Sequence, residues 1–225
     1  MPKLEIPIET LTDALAAQEG GADSIEISRD LSQDGLTPDF DLVRHIRDQV
    51  RIAIHVMIRP HARDFIYTDR EIDVILDDAR KLAQTGVDGM VFGALTAENR
   101  LDLALVERVA QATIPLPLTV HRALDFSVEP EQALAGLIGV APRVLTAGPA
   151  STAWEARNVL ANWVSRYGDR LEFVVAGRLR LEEFPEMLEV VRAPAYHFGS
   201  AARSGGLVDV EKVRALGAVL RKTSL

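Results

Sequence analysis

The sequence predicts one (β/α)8 barrel of the TIM type, in the α/β class. Short runs of apolar and β-branched residues alternate eight times with segments of helical periodicity. This alternation indicates a parallel sheet, and eight complete units favour a closed barrel over an open doubly wound sheet. The length of 225 residues is close to the roughly 250 residues typical of such a barrel. No linker or charge block divides the chain, so residues 1–225 are expected to form a single domain.

The predicted elements follow one another in strict order. The strands are LEIPI from Leu4, SIEI from Ser24, IAIHVMI from Ile52, GMVFG from Gly89, PLTVH from Pro117, RVLTA from Arg143, EFVVAG from Glu172 and AYHFG from Ala195. Each strand precedes one helical segment, and these segments span residues 11–20, 38–50, 69–86, 101–112, 130–138, 152–168, 181–191 and 208–222.

Composition and motifs exclude several classes of function. Hydrophobic residues make up 48% and charged residues 26% of the chain, which excludes intrinsic disorder. The formal net charge of −8, without a basic cluster, argues against a nucleic-acid partner. The lack of Cys excludes a thiolate metal site and a cysteine nucleophile, and the GxGxxG, Walker-type and GxSxG motifs are missing too. With neither a signal pattern nor a membrane-spanning apolar run, we expect a soluble cytoplasmic protein without a membrane partner.

The alternation of side chains along each strand predicts an unusually polar barrel interior. In the third strand Ile54 and Val56 should face the helices, which turns His55 and Arg59 inward. The same rule applied to the first, second, fifth and eighth strands completes an interior set of Glu5, Glu26, His55, Arg59, Thr119, His121 and His197. Barrel interiors are usually layers of Val, Ile and Leu, and buried charges need partners. This set could be a functional network or a buried ion-pair lattice that only sets strand register.

Five of these residues should converge at the C-terminal mouth of the barrel, where barrel active sites lie. They are Glu5, Glu26, Arg59, His121 and His197. Arg59 is the expected cation that compensates the two carboxylates, so its removal should destabilise the fold.

Six segments carry specific motifs in a fixed order. They are GGADSIEI (20–27), DGLTPD (34–39), MIRPHARDFIYTDREI (57–72), GVDGMVFGAL (86–95), TVHRALD (119–125) and RVLTAG (143–148). In these motifs, which cover roughly residues 4–205, the chain resembles the CutC family, named for copper homeostasis. The resemblance implies a (β/α)8 barrel, a cytoplasmic copper-handling role and a homo-oligomer, with a poorly defined biochemical activity.

The resemblance also implies a set of polar site residues. The set is Glu5, Glu26, Arg59, Asp64, His121, Arg122, Asp125 and His197. Members of the family often carry Cys after the first two strands, whereas residues 6–8 hold none here and Ile27 and Ser28 occupy the second place. Because copper(I) prefers thiolate or thioether ligands, the missing Cys weakens copper as a cofactor, and Met57 alone is a poor substitute. The identity of any cofactor therefore stays undecided at this point.

Two chemistries are open for the polar mouth. His121 and His197, helped by the carboxylates, could ligate a divalent metal such as copper(II) or zinc. Alternatively Glu26, Arg59 and His121 could be catalytic, with a desolvated carboxylate as general base and Arg59 or Arg122 holding an anionic substrate. A plainer alternative is that the histidines only donate hydrogen bonds to the carboxylates.

Loops at the same end supply candidate substrate contacts. Arg122 should pair with Asp125, and Asp64 should either clamp Arg59 or contact ligand. Barrels often bind phosphate in the loops after strands seven and eight, although glycine also occurs there for steric reasons. The substrate-binding candidates are Glu5, Asp64, Arg122, Asp125, Gly177, Gly199 and Ser200.

Three functions compete at this point. The resemblance favours a role in copper homeostasis through weak copper binding. The charged mouth favours a lyase- or isomerase-type enzyme that acts on a small anionic metabolite, such as a phosphorylated one. A scaffold that merely oligomerises would have its mouth filled by side chains. We expect a homodimer whose ligand is a small molecule or a metal ion.

Overall fold

Eight parallel strands close into one barrel in sequence order in the computed structural model, which describes residues 1–222. The strands are β1 (Lys3–Ile8), β2 (Ser24–Ile27), β3 (Ala53–Met57), β4 (Gly89–Phe92), β5 (Leu118–Val120), β6 (Arg143–Thr146), β7 (Glu172–Val175) and β8 (Ala195–His197). Parallel pairing of β8 with β1, in which Glu5 lies opposite His197, completes the ring. The predicted single-domain (β/α)8 barrel is confirmed.

A helix follows each strand, as predicted. The helices are α1 (Leu11–Gly20), α2 (Phe40–Gln49), α3 (Asp69–Leu82), α4 (Leu103–Ala112), α5 (Pro130–Leu137), α6 (Arg157–Tyr167), α7 (Phe184–Val191) and α8 (Val210–Lys222). A short hairpin of β9 (Arg203–Ser204) and β10 (Leu207–Val208) lies between β8 and α8. Among the described residues, no helix combines the length and apolarity that a membrane span requires.

Side-chain caps fix where several helices begin. The Thr68 hydroxyl and the Glu71 carboxylate form a capping box at the start of α3. Asp102 accepts a hydrogen bond from the Leu105 N–H at the start of α4. Helix α6 begins at Arg157 instead of the predicted residue 152, and in the segment before it the Ala153 N–H donates to the Gly177 carbonyl in the loop after β7.

The strands divide their side chains between two environments. Branched residues such as Ile6, Ile25 and Ile54 are fully buried in one continuous core between the strands and the helices. A separate small apolar cluster inside the barrel consists of Leu145, Val174, Ala176 and Ala195. This cluster comes from β6, β8 and the end of β7, whereas Glu5 and Glu26 are buried on β1 and β2.

Candidate functional site

A cavity of about 580 Å³ opens among the segments that follow the strands, at the end of the barrel where active sites of this fold lie. Its polar lining includes Glu26, Arg59, His121 and His197, and its apolar lining includes Phe65. The mouth of the barrel is therefore open, whereas the scaffold hypothesis requires a mouth filled by side chains.

Glu5 on β1 is the fully buried centre of a hydrogen-bond network beneath this cavity. Its Oε2 accepts hydrogen bonds from Arg143 Nη2 at 2.8 Å and from Ser24 Oγ at 3.0 Å. Its Oε1 lies 3.0 Å from His197 Nδ1, and His55 Nε2 lies 3.9 Å from Oε2. Strands β1, β2, β3, β6 and β8 thus contribute to one compensated charge cluster.

The two buried carboxylates differ in their protonation. Burial alone would raise the pKa of Glu5, but the Arg143 charge and the hydrogen bond from His197 hold that pKa well below its usual range. Burial raises the pKa of Glu26 to about 7, because the attraction of His197 is offset by the repulsion of Glu5. Glu5 is therefore a fixed anion, and Glu26 exchanges its proton near neutral pH.

His197 lies close to both carboxylates. Burial would lower its pKa, but the hydrogen bond with Glu5 and the negative charges of Glu26 and Glu5 together raise it. One ligand atom each from Glu5, Glu26 and His197 lies within 4.8 Å of the others. Glu26 Oε2 is buried and has no hydrogen-bond partner among the described residues. Glu26 thus combines a free oxygen with a pKa near neutrality.

His121 is held in one tautomer. It follows β5, and its Nδ1 accepts a hydrogen bond from the Ala123 N–H at 3.1 Å, so Nε2 carries the proton in the neutral ring. Burial and the positive charge of Arg59 lower its pKa to about 3. His121 Nε2 is buried without a partner within residues 1–222, which makes it a neutral donor on the cavity wall.

Arg59 is anchored by backbone carbonyls. Its Nη1 donates to the carbonyls of Gln33 at 2.7 Å and Gly35 at 3.3 Å, and its Nη2 donates to that of Ala62 at 3.4 Å. Its guanidinium carbon lies 4.7 Å from the centre of the Phe65 ring, within cation–π range. The expectation that Arg59 compensates Glu5 and Glu26 is wrong, because Arg143 is the cation that binds Glu5.

The sequence pattern did contain a signal for Arg143. Val144 belongs to the core between strands and helices, so the alternation along β6 turns Arg143 and Leu145 into the barrel. The sixth strand was not divided into faces in the prediction, and Arg143 was missed for that reason.

The loop residues take separate roles. Arg122 Nε donates to Asp125 Oδ2 at 2.9 Å, which confirms the predicted pair. Asp125 also accepts hydrogen bonds from the Ala147 N–H and the Thr146 hydroxyl, so it joins the ends of β5 and β6. Asp64 is exposed, and its Oδ1 accepts a hydrogen bond from the Ile66 N–H.

Gly177, Gly199 and Ser200 all line the cavity. Gly177 has a φ of +102°, and a Cβ there would lie 2.5 Å from the Ala147 Cβ, so packing alone requires glycine at this position. A Cβ on Gly199 would meet nothing closer than Pro7 Cγ at 3.8 Å.

Comparison with known proteins agrees with this architecture. Residues 2–201 match the model of the CutC family. The chain belongs to the CutC family. It is 34% identical over 219 residues to the copper homeostasis protein cutC homolog of Homo sapiens, covering 96% of this chain and 80% of that protein. It is 36% identical over 201 residues to a CutC family protein of Mesorhizobium japonicum, covering 89% of this chain and 78% of that protein.

Solved structures give the same fold. The crystal structure of a Streptococcus agalactiae protein that carries the CutC name superposes on this CutC family member with a TM-score of 0.83, at 24% identity over 89% of this chain and 99% of that one. A phosphoribosylanthranilate isomerase from Thermotoga maritima superposes with a TM-score of 0.65, at 17% identity over 99% and 100% of the two chains. At these identities the likeness concerns the barrel fold alone.

The geometry corrects the predicted metal pair in this CutC family member. The possible ligand cluster comprises Glu5, Glu26 and His197 and does not include His121. A metal at His121 Nε2 would require the proton to move to Nδ1, where it would face the Ala123 N–H. Glu5 is also engaged by Arg143, whose charge opposes a divalent cation at this cluster.

Replacement of Arg143 by Met tests the role of the ion pair. The variant Arg143→Met leaves Glu5 fully buried without its cation, and we expect a loss of about 3–5 kcal/mol in the free energy of unfolding at pH 7. Urea denaturation measures it. The control Arg166→Met removes an exposed pair with Glu131 and should change stability by less than about 1 kcal/mol. Equal, small effects of both variants would contradict the network described above.

The pKa of Glu26 predicts a pH-dependent stability. This pKa rises from an ordinary value of 4.5 to about 7 on folding, so the folded protein holds more protons than the unfolded chain between these pH values. The stabilisation is fully present below pH 4.5 and is lost as the pH rises through 7. The variant Glu26→Gln should therefore gain stability relative to the parent between pH 4.5 and pH 8, by on the order of 3 kcal/mol.

Chemical denaturation at several pH values provides the measurement. The control Glu98→Gln alters an exposed carboxylate and should keep the parent's pH profile. A constant stability difference between Glu26→Gln and the parent across this range would show that Glu26 titrates as in a free peptide.

Proposed function

We propose that this CutC family member is a barrel enzyme of the lyase or isomerase type that transfers protons on a small anionic metabolite. One observation carries the proposal: Glu26 is a buried carboxylate with a pKa of about 7 and an unpaired oxygen, and it lines the mouth cavity. A general acid–base group is most effective when its pKa is close to the operating pH.

The groups around Glu26 support proton transfer. His197 adjoins Glu26 and is oriented by the hydrogen bond with Glu5, so it can exchange a proton with Glu26 or with a ligand. His121 Nε2–H is a neutral donor that lies on the wall of the same cavity. In the reaction, Glu26 takes a proton from the carbon next to a carbonyl group, His197 donates a hydrogen bond to the carbonyl oxygen as charge develops there, and Glu26 returns its proton to a carbon of the product.

Size and charge of the cavity support a small anionic substrate. A volume of about 580 Å³ lies within the usual range for small-molecule sites. Arg59 and Arg122 both line the cavity, and either cation could hold an anionic group.

Deuterium exchange tests this proposal without knowledge of the product. Compounds with a carbonyl group and a phosphate or carboxylate are incubated with the protein in D2O, and proton NMR follows exchange at the carbon next to the carbonyl. We expect exchange on at least one compound and a loss of at least 100-fold in Glu26→Gln, the usual scale of general-base catalysis. Glu98→Gln is the matched control and should retain the parent's rate. Equal rates in parent and Glu26→Gln would refute Glu26 as the base.

Copper binding is the second candidate, and the Glu5, Glu26 and His197 cluster is the observation that favours it. The name of the human relative, a copper homeostasis protein homolog, supports the same role. Imidazole and carboxylate ligands suit copper(II), whereas copper(I) prefers sulfur, and the chain has no Cys. We infer that any copper bound here is weakly held copper(II), with His197 as its nitrogen ligand.

Competition titration of metal-free protein with copper(I) and copper(II) tests the second candidate. We expect His197→Ala to weaken copper(II) binding at least tenfold and His121→Ala to leave it within twofold, because the tautomer of His121 keeps Nε2 protonated. Tight copper(I) binding, or equal losses in the two variants, would contradict this assignment.

Compartment and assembly belong to the same proposal. The absence of Cys suits a reducing cytoplasm. The negative net charge argues for a small-molecule ligand in preference to a nucleic acid, and we expect no membrane partner. The family resemblance supports a homodimer, which light scattering of the purified chain tests.

A further inference from the structure

Arg59 differs from the other buried or half-buried arginines of the barrel. Arg143 lies 2.8 Å from a Glu5 oxygen, Arg122 lies 2.9 Å from Asp125, and Arg203 lies 3.2 Å from Asp13. Arg59 is 5% exposed, yet within residues 1–222 no carboxylate lies within 4.0 Å of it, and backbone carbonyls are its acceptors. Burial of a cation without a counter-ion is costly.

Two buried donors at this place lack acceptors. Arg59 Nε and His121 Nε2 are both buried and unpartnered within the described chain, and both residues line the mouth cavity. They are linked through Phe65, whose ring contacts the Arg59 guanidinium at 4.7 Å and the His121 ring at 5.0 Å. An oxyanion would supply what these groups lack, because its negative charge would compensate Arg59 and its oxygens would accept hydrogen bonds from both N–H groups.

The opposite wall of the cavity has fewer buried side-chain groups that could bind an anion. Arg178, in the loop after β7, is exposed, and Gly177 beside it is explained by its contact with Ala147. None of the buried unpartnered side-chain atoms in the described chain belongs to the loops after β7 and β8. These loops were the expected phosphate site, whereas Arg59 Nε and His121 Nε2 lie beyond β3 and β5.

We propose that Arg59 Nε–H and His121 Nε2–H form an oxyanion subsite that binds the carboxylate or phosphate group of the substrate, with the Phe65 ring in contact with both residues. This inference rests on the proposed function and specifies which cation holds the anionic group. Asp34 lies between Gln33 and Gly35, whose carbonyls anchor Arg59, and Asp34 also lines the cavity. An anion in this subsite accepts hydrogen bonds from both donors and meets the negative charge of Asp34 at the same cavity.

NMR titration with inorganic phosphate and, separately, with acetate tests the subsite directly. The side-chain signals of Arg59 Nε–H and His121 Nε2–H should move together with one dissociation constant. Arg59→Gln should weaken that binding at least tenfold, whereas Arg178→Met, which removes the same charge from the same cavity, should change it by less than twofold. Tighter binding of phosphate identifies a phosphoryl substrate, and tighter binding of acetate identifies a carboxylate substrate.

A second variant keeps the test decisive if Arg59→Gln does not fold. His121→Asn retains a side-chain acceptor for the Ala123 N–H but withdraws the Nε2–H donor, and it should weaken anion binding three- to tenfold. Equal losses in Arg59→Gln and Arg178→Met, shifts confined to Arg178 and Gly177, or no binding of either anion at 100 mM would each overturn the subsite.

The outcome is separable from that of the proposed function. Anion binding at Arg59 without deuterium exchange by Glu26 would leave the subsite standing and refute the acid–base role. Deuterium exchange that depends on Glu26 but not on Arg59 or His121 would support the acid–base role of Glu26 and refute the subsite.

Discussion

The buried charge of Glu5 is the constraint on which the site depends. Its carboxylate is fully enclosed and binds Arg143 from β6 and His197 from β8, so strands far apart in sequence are tied to one group. Such a pair contributes little net stability, but loss of one partner is expensive. Because Arg143 and His197 are committed to Glu5, Glu26 receives only partial compensation, and burial raises its pKa to about 7. The permanent charge of Glu5 is thus one reason why Glu26 titrates near neutral pH.

The mouth therefore has two electrostatically different walls. On one wall Glu5, Glu26 and His197 form a cluster in which a proton can move among adjacent groups. On the other, Arg59 and His121 present positive potential and free N–H groups. A ligand with an anionic group on the second wall would place the rest of its atoms toward Glu26. Separation of the anion-binding groups from the base also prevents Arg59 from lowering the pKa of Glu26 toward that of an ordinary carboxylate.

Much of this arrangement follows from local sequence. Period-two alternation turned Glu5, Glu26 and His197 inward, because the alternate residues of their short strands are branched aliphatic in β1 and β2 and aromatic in β8. Arg59 and His121 lie just beyond their strands, where the backbone no longer alternates, so their partners came from loops that the pattern does not describe. The tautomer of His121 depends on a hydrogen bond from Ala123, and the Glu5–Arg143 contact joins residues 138 positions apart. The spacing of residues along the chain predicts neither this tautomer nor which carboxylate Arg143 contacts.

The two candidate functions of the cluster compete for the same oxygen of Glu26. A divalent cation would have to displace the proton that burial favours on this carboxylate, and it would meet the repulsion of Arg143 and of a protonated His197. An anion on the Arg59 wall meets no such repulsion from those cations. The absence of Cys removes the sulfur ligands that could offset the repulsion for copper(I). In this CutC family member the charges at the mouth are therefore the physical reason to place the anionic organic ligand of the proposed function before a metal ion.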